Sequence, residues 1–297
     1  MNDIIYTLNN GVTVPALGLG VYQSGKEETV ESVKFALNSG YRMIDTAAAY
    51  ANEKEVGLGI KQSDVAREDI FVQSKLWMSD YGYDNTLRGF ERSLKHLGLD
   101  TLDSFLLHWP IPSDFDKTIS SWKALVRLQQ EGRIRVIGVC NSLPSEIVRL
   151  QEETGVLPAI NQVELHPYLS QPELHQAHQD MGVLTQAWAP IGGIMRYQEG
   201  SKKDEDPLSH PVIVRLANKY QKTSAQIVLR WHLERGISVI PKSVKPARIQ
   251  ENGNIFDFQL SKDEVQAIDE INQNLRGGPD PQLVEAHAFD EFITLEL

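Results

Sequence analysis

One cysteine, Cys140, stands in a chain of 297 residues. That excludes an internal disulfide framework and any zinc site built from several cysteines, and a reducing compartment is the simplest setting. The start, MNDIIYTLNNGVTVP, has no charged region followed by an apolar run, so no signal peptide is expected. No stretch approaches about 18 consecutive apolar residues, which argues against a membrane span. Cations are in deficit, with 29 Lys and Arg against 40 Asp and Glu, a net charge of −11. With neither a signal peptide nor a membrane span expected, a cytoplasmic location is expected, and because an acidic surface repels nucleic acid and anionic lipid, neither is an expected partner. Low-complexity segments and linkers are missing too. The whole chain, 1–297, therefore reads as a single domain.

What is present is a series of short runs rich in Val, Ile, Leu and Phe. Eight of them read as strands: Ala16–Gly20, Tyr41–Asp45, Ile70–Lys75, Ser104–His108, Val136–Val139, Ala159–Val163, Val183–Trp188 and Ser238–Ile240. Their nearly continuous apolar character suits parallel strands buried on both faces. Helical spacing separates them. Leu87, Phe90, Leu94 and Leu97 share one face, and Ile119, Trp122, Val126 and Leu128 nearly do. Thr223 with Gln226, and Ser261 with Glu264, have the spacing of capping boxes, and Pro144 stands where a first helical turn would begin.

Eight strand–helix units predict an α/β fold, the (β/α)8 TIM barrel. The rival, a doubly wound dinucleotide-binding sheet, calls for G-x-G-x-x-G after the first strand. Here Gly18-Leu-Gly20-Val-Tyr-Gln-Ser lacks the third glycine. Outside the units lie an N-terminal hairpin (Ile4–Leu8 and Val12–Pro15 about Asn9-Asn10-Gly11), a polar loop from Tyr197 to His210, and an irregular C-terminal tail from Arg276 to Leu297.

A barrel carries its active site at the C-terminal ends of its strands. Three consecutive runs end in Asp45, Lys75 and His108, and Tyr50 follows Asp45 in the next loop. Strand ends lie near solvent, so any one of these could be incidental. An acid, an ammonium, an imidazole and a phenol on one rim are harder to dismiss. They suit carbonyl reduction, in which hydride attack builds negative charge on an oxygen that then needs a proton. A nearby Lys75 ammonium is expected to lower the pKa of Tyr50, Asp45 to hold that ammonium, and His108 to orient the carbonyl oxygen.

At these residues the chain resembles the aldo-keto reductase superfamily, in particular microbial members of the diketogluconate-reductase type. The resemblance is carried by GYRMIDTAAAYANEKEVG (40–57), Lys75-Leu76-Trp77, LLHWP (106–110), IGVCNS (137–142), NQVELHPY (161–168), QAWAPIG (186–192) and IPKSVKPARIQEN (240–252). It implies a catalytic tetrad of Asp45, Tyr50, Lys75 and His108, with Tyr50 as general acid. It also implies NADPH/NADP+ as cofactor. Lys242, Ser243 and Arg248 would take the 2′-phosphate, with Val244 in the same segment, and Glu251 and Asn252 the adenine. Trp188 would stack on the nicotinamide, and Asn141 and Gln162 would bond its carboxamide. From the residues alone, Trp188 reads equally as a core aromatic.

The run from Gly236 to Gln250 contains Lys242, Lys245 and Arg248 and no acid, a basic island in an acidic chain, and Pro246 could open a helix whose N-terminus favours phosphate. Two cations would favour NADPH over NADH. Cys140 stands where the family commonly has Ser, which puts one nicotinamide contact in doubt. Tyr22 replaces a common Trp in the substrate pocket, and Trp77 and Trp109 would either project from the rim to wall it or, equally, pack beneath loops. His175 and His178 are expected on a solvated helix face, and His166 as a structural residue. No metal is needed. The resemblance implies a small-molecule carbonyl substrate and a monomer. Two other classes are weighed: a cofactor-binding protein without turnover, and an aldolase or isomerase using Lys75 as a Schiff base.

Overall fold

Alternation about Asn-Gly makes the chain start as a hairpin, in a computed structural model that describes residues 4–193 and 206–288. Strands β1 (Ile5–Thr7) and β2 (Thr13–Pro15) pair antiparallel, Tyr6 opposite Val14. Gly11 closes the turn at φ 80°, a conformation that favours glycine.

The eight apolar runs become β3 (Leu19–Gly20), β4 (Met43–Asp45), β5 (Phe71–Leu76), β6 (Leu102–Leu107), β7 (Ile134–Cys140), β8 (Ile160–Glu164), β9 (Leu184–Trp188) and β10 (Ser238–Val239). Each pairs parallel with its sequence neighbour. Bridges from Leu17 to Val239 and from Gly20 to Lys242 then join the first strand to the last. The Val239 N–H donates to Ala16 O at 2.8 Å across that seam. The sheet is thus closed, which removes both edges.

Helices follow in the order α1 (Lys26–Asn38), α2 (Glu53–Lys61), α3 (Tyr83–Leu97), α4 (Phe115–Gln130), α5 (Pro144–Thr154), α6 (Pro172–Met181), α7 (Pro211–Tyr220), α8 (Ser224–Glu234), α9 (Pro246–Gly253) and α10 (Lys262–Asp269). The stripe on α3 buries Phe90, Leu94 and Leu97 against the outer sheet face, each worth about 1.5–3 kcal/mol of apolar transfer. Both capping boxes form, at Thr223–Gln226 and Ser261–Glu264. A second, smaller core fills the barrel itself. There Leu8 and Val14 of the hairpin meet Met43, Phe71, Val136 and Ile160, so the hairpin plugs the N-terminal end. The opposite end, where β4, β5 and β6 finish, stays polar.

The expected solvated face of α6 is a correction. His175 and His178 are buried. Their i, i+3 spacing turns both toward β9 and β8, where a chain of bonds satisfies them. Asn161 Nδ2 donates to His178 Nε2 at 3.0 Å, both Nδ1 atoms lie within 3.0 Å of Thr185 Oγ1, and His175 Nε2 donates to Arg235 O at 3.1 Å. Burial first, with neighbouring positive charge second, lowers both pKa values to about 4. His166 is fully buried on Glu164. Of the polar loop, residues 197–205 lie outside the described residues, and Pro207–Ser209 form one short helical turn before α7. The tail is described to residue 288 and has one helical turn, Pro281–Leu283. Among the described residues no helix is long and apolar enough to cross a membrane, and no group of three His, Cys, Asp or Glu could hold a metal.

Candidate active site

Parallel strands finish at the same rim, so Asp45 on β4, Lys75 on β5 and His108 after β6 come together there. The Lys75 and Asp45 side chains are buried, with Nζ 2.7 Å from Asp45 Oδ2. Lys75 has two further acceptors, Thr46 O at 2.8 Å and Tyr50 Oη at 3.2 Å. Three acceptors match the three ammonium protons. Because Tyr50 Oη accepts from Lys75, its own proton is directed elsewhere.

The loop that brings Tyr50 back is staked at both ends. Thr46 Oγ1 donates to Asn52 Oδ1 at 2.8 Å, and Asn52 Nδ2 donates to Val21 O at 2.9 Å. Between them residues 48–50 make a short helical turn, ended by Ala51 at φ 52°. The other carboxylate oxygen, Asp45 Oδ1, accepts from Gln73 Nε2 at 2.7 Å and Gln162 Nε2 at 2.9 Å. Both amides also donate to Gln186 Oε1. Four side chains on four strands thus form one buried ring around the Asp45 charge. Gln73 and Gln186 were not singled out from sequence, where a Gln inside an apolar strand is the only sign of them.

The electrostatics differ in one respect from expectation. Burial pushes the Tyr50 hydroxyl well above its ordinary pKa, and the Lys75 charge offsets only part of that, so the net shift is upward rather than downward. Tyr50 is firmly protonated. For Lys75, burial is the largest single effect and works against the charge, but Asp45 and Tyr50, with Cys140, together outweigh it, and the ammonium persists. Burial and then the Lys75 charge hold His108 far below the usual imidazole range, hence neutral. His108 Nδ1 is buried with no bonding partner among the described residues, while its carbonyl accepts from Asn141 Nδ2 at 3.2 Å. Its ring meets Tyr50 edge-on at 5.6 Å and Trp77 at 5.2 Å.

Trp77 and Trp109 are both buried, in line with the alternative that they pack beneath loops. Tyr81 Oη, donating to Trp109 O at 2.7 Å, pins one loop to the other. Tyr22 is 54% exposed and leans on Tyr50 at 5.0 Å between centroids. Cys140 is buried inside the barrel, and burial pushes its thiol up, so it is an inert neutral group there.

Asp45 is in register with Gly20, and Gly20 is bridged to Lys242. Lys242 is therefore two strand spacings from Asp45, roughly 10 Å. From it the chain runs through Ser243 and Val244 into α9. Ser243 Oγ accepts the Lys245 N–H at 3.2 Å, and Lys242 Nζ donates to Gln23 O at 3.3 Å. Lys245 and Arg248 are exposed, with no ion-pair partner among the described residues. Asn252 is buried, and Glu251 Oε1 accepts from Thr223 Oγ1 at 2.8 Å. On the other flank Trp188 ends β9 half-buried, and its Nε1 donates to Asn141 Oδ1 at 2.8 Å. Gln162, with both amide protons spent on Asp45 and Gln186, has only Oε1 left for a ligand. A helix N-terminus beside cations with no ion-pair partner among the described residues, two strands from a polar rim walled by an aromatic ring, fits a phosphorylated dinucleotide.

One further group at the rim went unread. Glu164, the last residue of β8, is fully buried. Its carboxylate accepts from His166 Nε2 at 3.0 Å and from the backbone N–H groups of Gly277 and Gly278 at 2.7 and 2.9 Å.

The profile of the aldo/keto reductase family matches residues 16–273. A morphine 6-dehydrogenase of Pseudomonas putida is 46% identical over 291 residues, 97% of this chain and 98% of that protein. The methylglyoxal reductase DkgA of Escherichia coli (strain K12) is 45% identical over 280 residues, 94% of this chain and 98% of that one. Among solved structures, an aldo-keto reductase of Bombyx mori in complex with NADP aligns at a TM-score of 0.87 and 34% identity, over 99% of this chain and 98% of that one.

Proposed function

The chain belongs to the aldo/keto reductase family, and on that premise we propose that it reduces aldehydes or ketones to alcohols with NADPH, Tyr50 acting as general acid. The observation that carries this reading is the chain of bonds Asp45–Lys75–Tyr50, with neutral His108 beside it. When bound, NADPH supplies a hydride to the carbonyl carbon. The protein's task is the other half of the reaction. Negative charge gathers on the substrate oxygen, and Tyr50 Oη–H transfers its proton there, so a C–H and an O–H bond replace the C=O π bond. Lys75, already bonded to Tyr50 Oη, stabilises the phenolate that is left, and Asp45 keeps Lys75 fixed and charged. Being neutral, His108 adds no second full charge beside Lys75 and can offer an N–H to the same oxygen.

Lys242, Ser243 and Arg248 would hold the 2′-phosphate, with Val244 in the same segment and Glu251 and Asn252 beside the adenine. Trp188 would stack on the nicotinamide, and Asn141 and Gln162 would meet its carboxamide. Gln162 would serve as acceptor only. Names of relatives support an oxidation–reduction couple: one is a methylglyoxal reductase, another a morphine 6-dehydrogenase. Tyr22, Trp77 and Trp109 would line the substrate side. The test is NADPH consumption with an activated aldehyde. Turnover is expected with the wild type, and Tyr50→Phe should lose about a hundredfold or more in kcat, the usual weight of a positioned acid.

A further inference from the structure

A fully buried carboxylate at the mouth of a barrel needs a reason, since burial of an unpaired charge is costly. Glu164 is satisfied almost entirely by the C-terminal tail. Oε1 accepts from the Gly277 N–H and His166 Nε2, Oε2 from the Gly278 N–H, and Arg276 Nη1 stands 3.7 Å from Oε2. Two successive backbone N–H groups on one carboxylate form a small anion-binding nest. The tail is tethered just before it as well. The N–H groups of Gln273 and Leu275 donate to Tyr168 O at 3.2 and 2.9 Å.

Gly278 closes the clamp on a residue of the site. A Cβ built there would lie 2.5 Å from Trp188 Cη2 and 3.0 Å from Glu164 Oε2, so only glycine allows this approach. Beyond it the chain turns at Pro281–Leu283 and reaches the loop after β6, where Ser113 Oγ donates to Glu285 and Val284 is buried. The tail thus crosses from the β8 loop to the loop that follows His108.

We propose that Glu164 is the positioning residue that clamps Gly277–Gly278 against Trp188, and thereby sets the course of the tail across the mouth and the size of carbonyl substrate the site admits. The second half of this rests on the carbonyl-reductase reading. The first half does not, and the two are tested separately.

Trypsin cutting after Arg276 reads the clamp directly, because the bond it cuts is the one whose N–H is held by Glu164. In Glu164→Gln, one carboxylate oxygen becomes an NH2 that cannot accept, so one of the two backbone N–H groups loses its acceptor and the other bonds to an uncharged one, and release of the peptide beginning at Gly277 is expected at least tenfold faster than in wild type, by mass spectrometry. Equal rates overturn the clamp. Turnover reads its consequence. In Glu164→Gln the KM for a bulky aromatic aldehyde is expected to change at least tenfold relative to the KM for a small aliphatic one. Faster cutting with an unchanged ratio overturns the role in substrate admission. Should Glu164→Gln fail to fold, Gly278→Ala leaves the carboxylate and adds only the clashing Cβ. It is expected to shift the same two readouts in the same direction, and wild-type values in both overturn the proposal. A wild type that turns over no aldehyde contradicts the carbonyl-reductase reading, and the clamp then stands or falls on the cutting rates.

Discussion

At the ends of β4 and β5 every ammonium proton of Lys75 has a protein acceptor, whereas Lys245 and Arg248, beyond the end of β10, have no ion-pair partner among the described residues. The first region is a knot of largely buried groups bonded to one another. The second is an exposed basic arm in a chain of net charge −11. On the proposed function, the difference separates two tasks. Proton transfer needs donor and charge fixed in advance, which burial in a hydrogen-bonded ring supplies. Ligand capture needs cations that are not already neutralised. Damage to the knot should therefore appear in kcat and in stability, and damage to the arm in the apparent affinity for cofactor.

Lys75→Met breaks the comparison hardest. It leaves Asp45 buried without its cation, and removing one partner of such a pair costs about 3–5 kcal/mol. Urea unfolding should register that loss, and kcat should fall by about a thousandfold if the ammonium both orders Tyr50 and stabilises its phenolate. A stable, active Lys75→Met enzyme would mean that the knot is not a unit. Next in size, Arg248→Leu removes one charge-assisted contact from the arm, worth about 1.5–3 kcal/mol. KM for NADPH should rise by roughly tenfold to a hundredfold and grow less sensitive to salt, with kcat nearly untouched. An equal fall in kcat would erase the distinction between the regions.

A smaller effect concerns pH. Burial lowers His175 and His178 to about 4 and His232 to about 3, below the usual imidazole value of 6.5. Between those limits the unfolded chain binds more protons than the folded one, so stability rises with pH there. Their contribution is fully present above about pH 6.5 and is lost as pH falls toward 4. Thermal unfolding from pH 7 down to pH 4 should show a declining Tm. A flat profile would contradict neutral burial of these side chains.

Much of this was legible in the sequence. Each of the eight strands overlaps an apolar run, since burial on both faces leaves a continuous apolar signature. Capping boxes and Pro246 at the start of α9 are local signals and were equally readable. What was not legible depended on neighbours distant in the chain. His175 and His178 look solvated on a helical wheel, and only Thr185 and Arg235, brought in by β9 and the end of α8, reveal their buried chain of bonds. Glu164 reads as one polar residue in a strand until Gly277 and Gly278 arrive more than a hundred positions later. The direction of the Tyr50 shift was missed because burial, which a sequence does not display, exceeds the effect of Lys75.

The division of labour at the rim is tested most directly by Tyr50→Phe, with NADPH binding and aldehyde turnover measured on the same protein. Quenching of tryptophan emission by added NADPH gives the Kd, and NADPH consumption gives kcat. The account predicts a Kd within about threefold of wild type beside a kcat lower by about a hundredfold or more, because the phenol oxygen serves proton transfer and not cofactor capture. Wild-type turnover in Tyr50→Phe would contradict it.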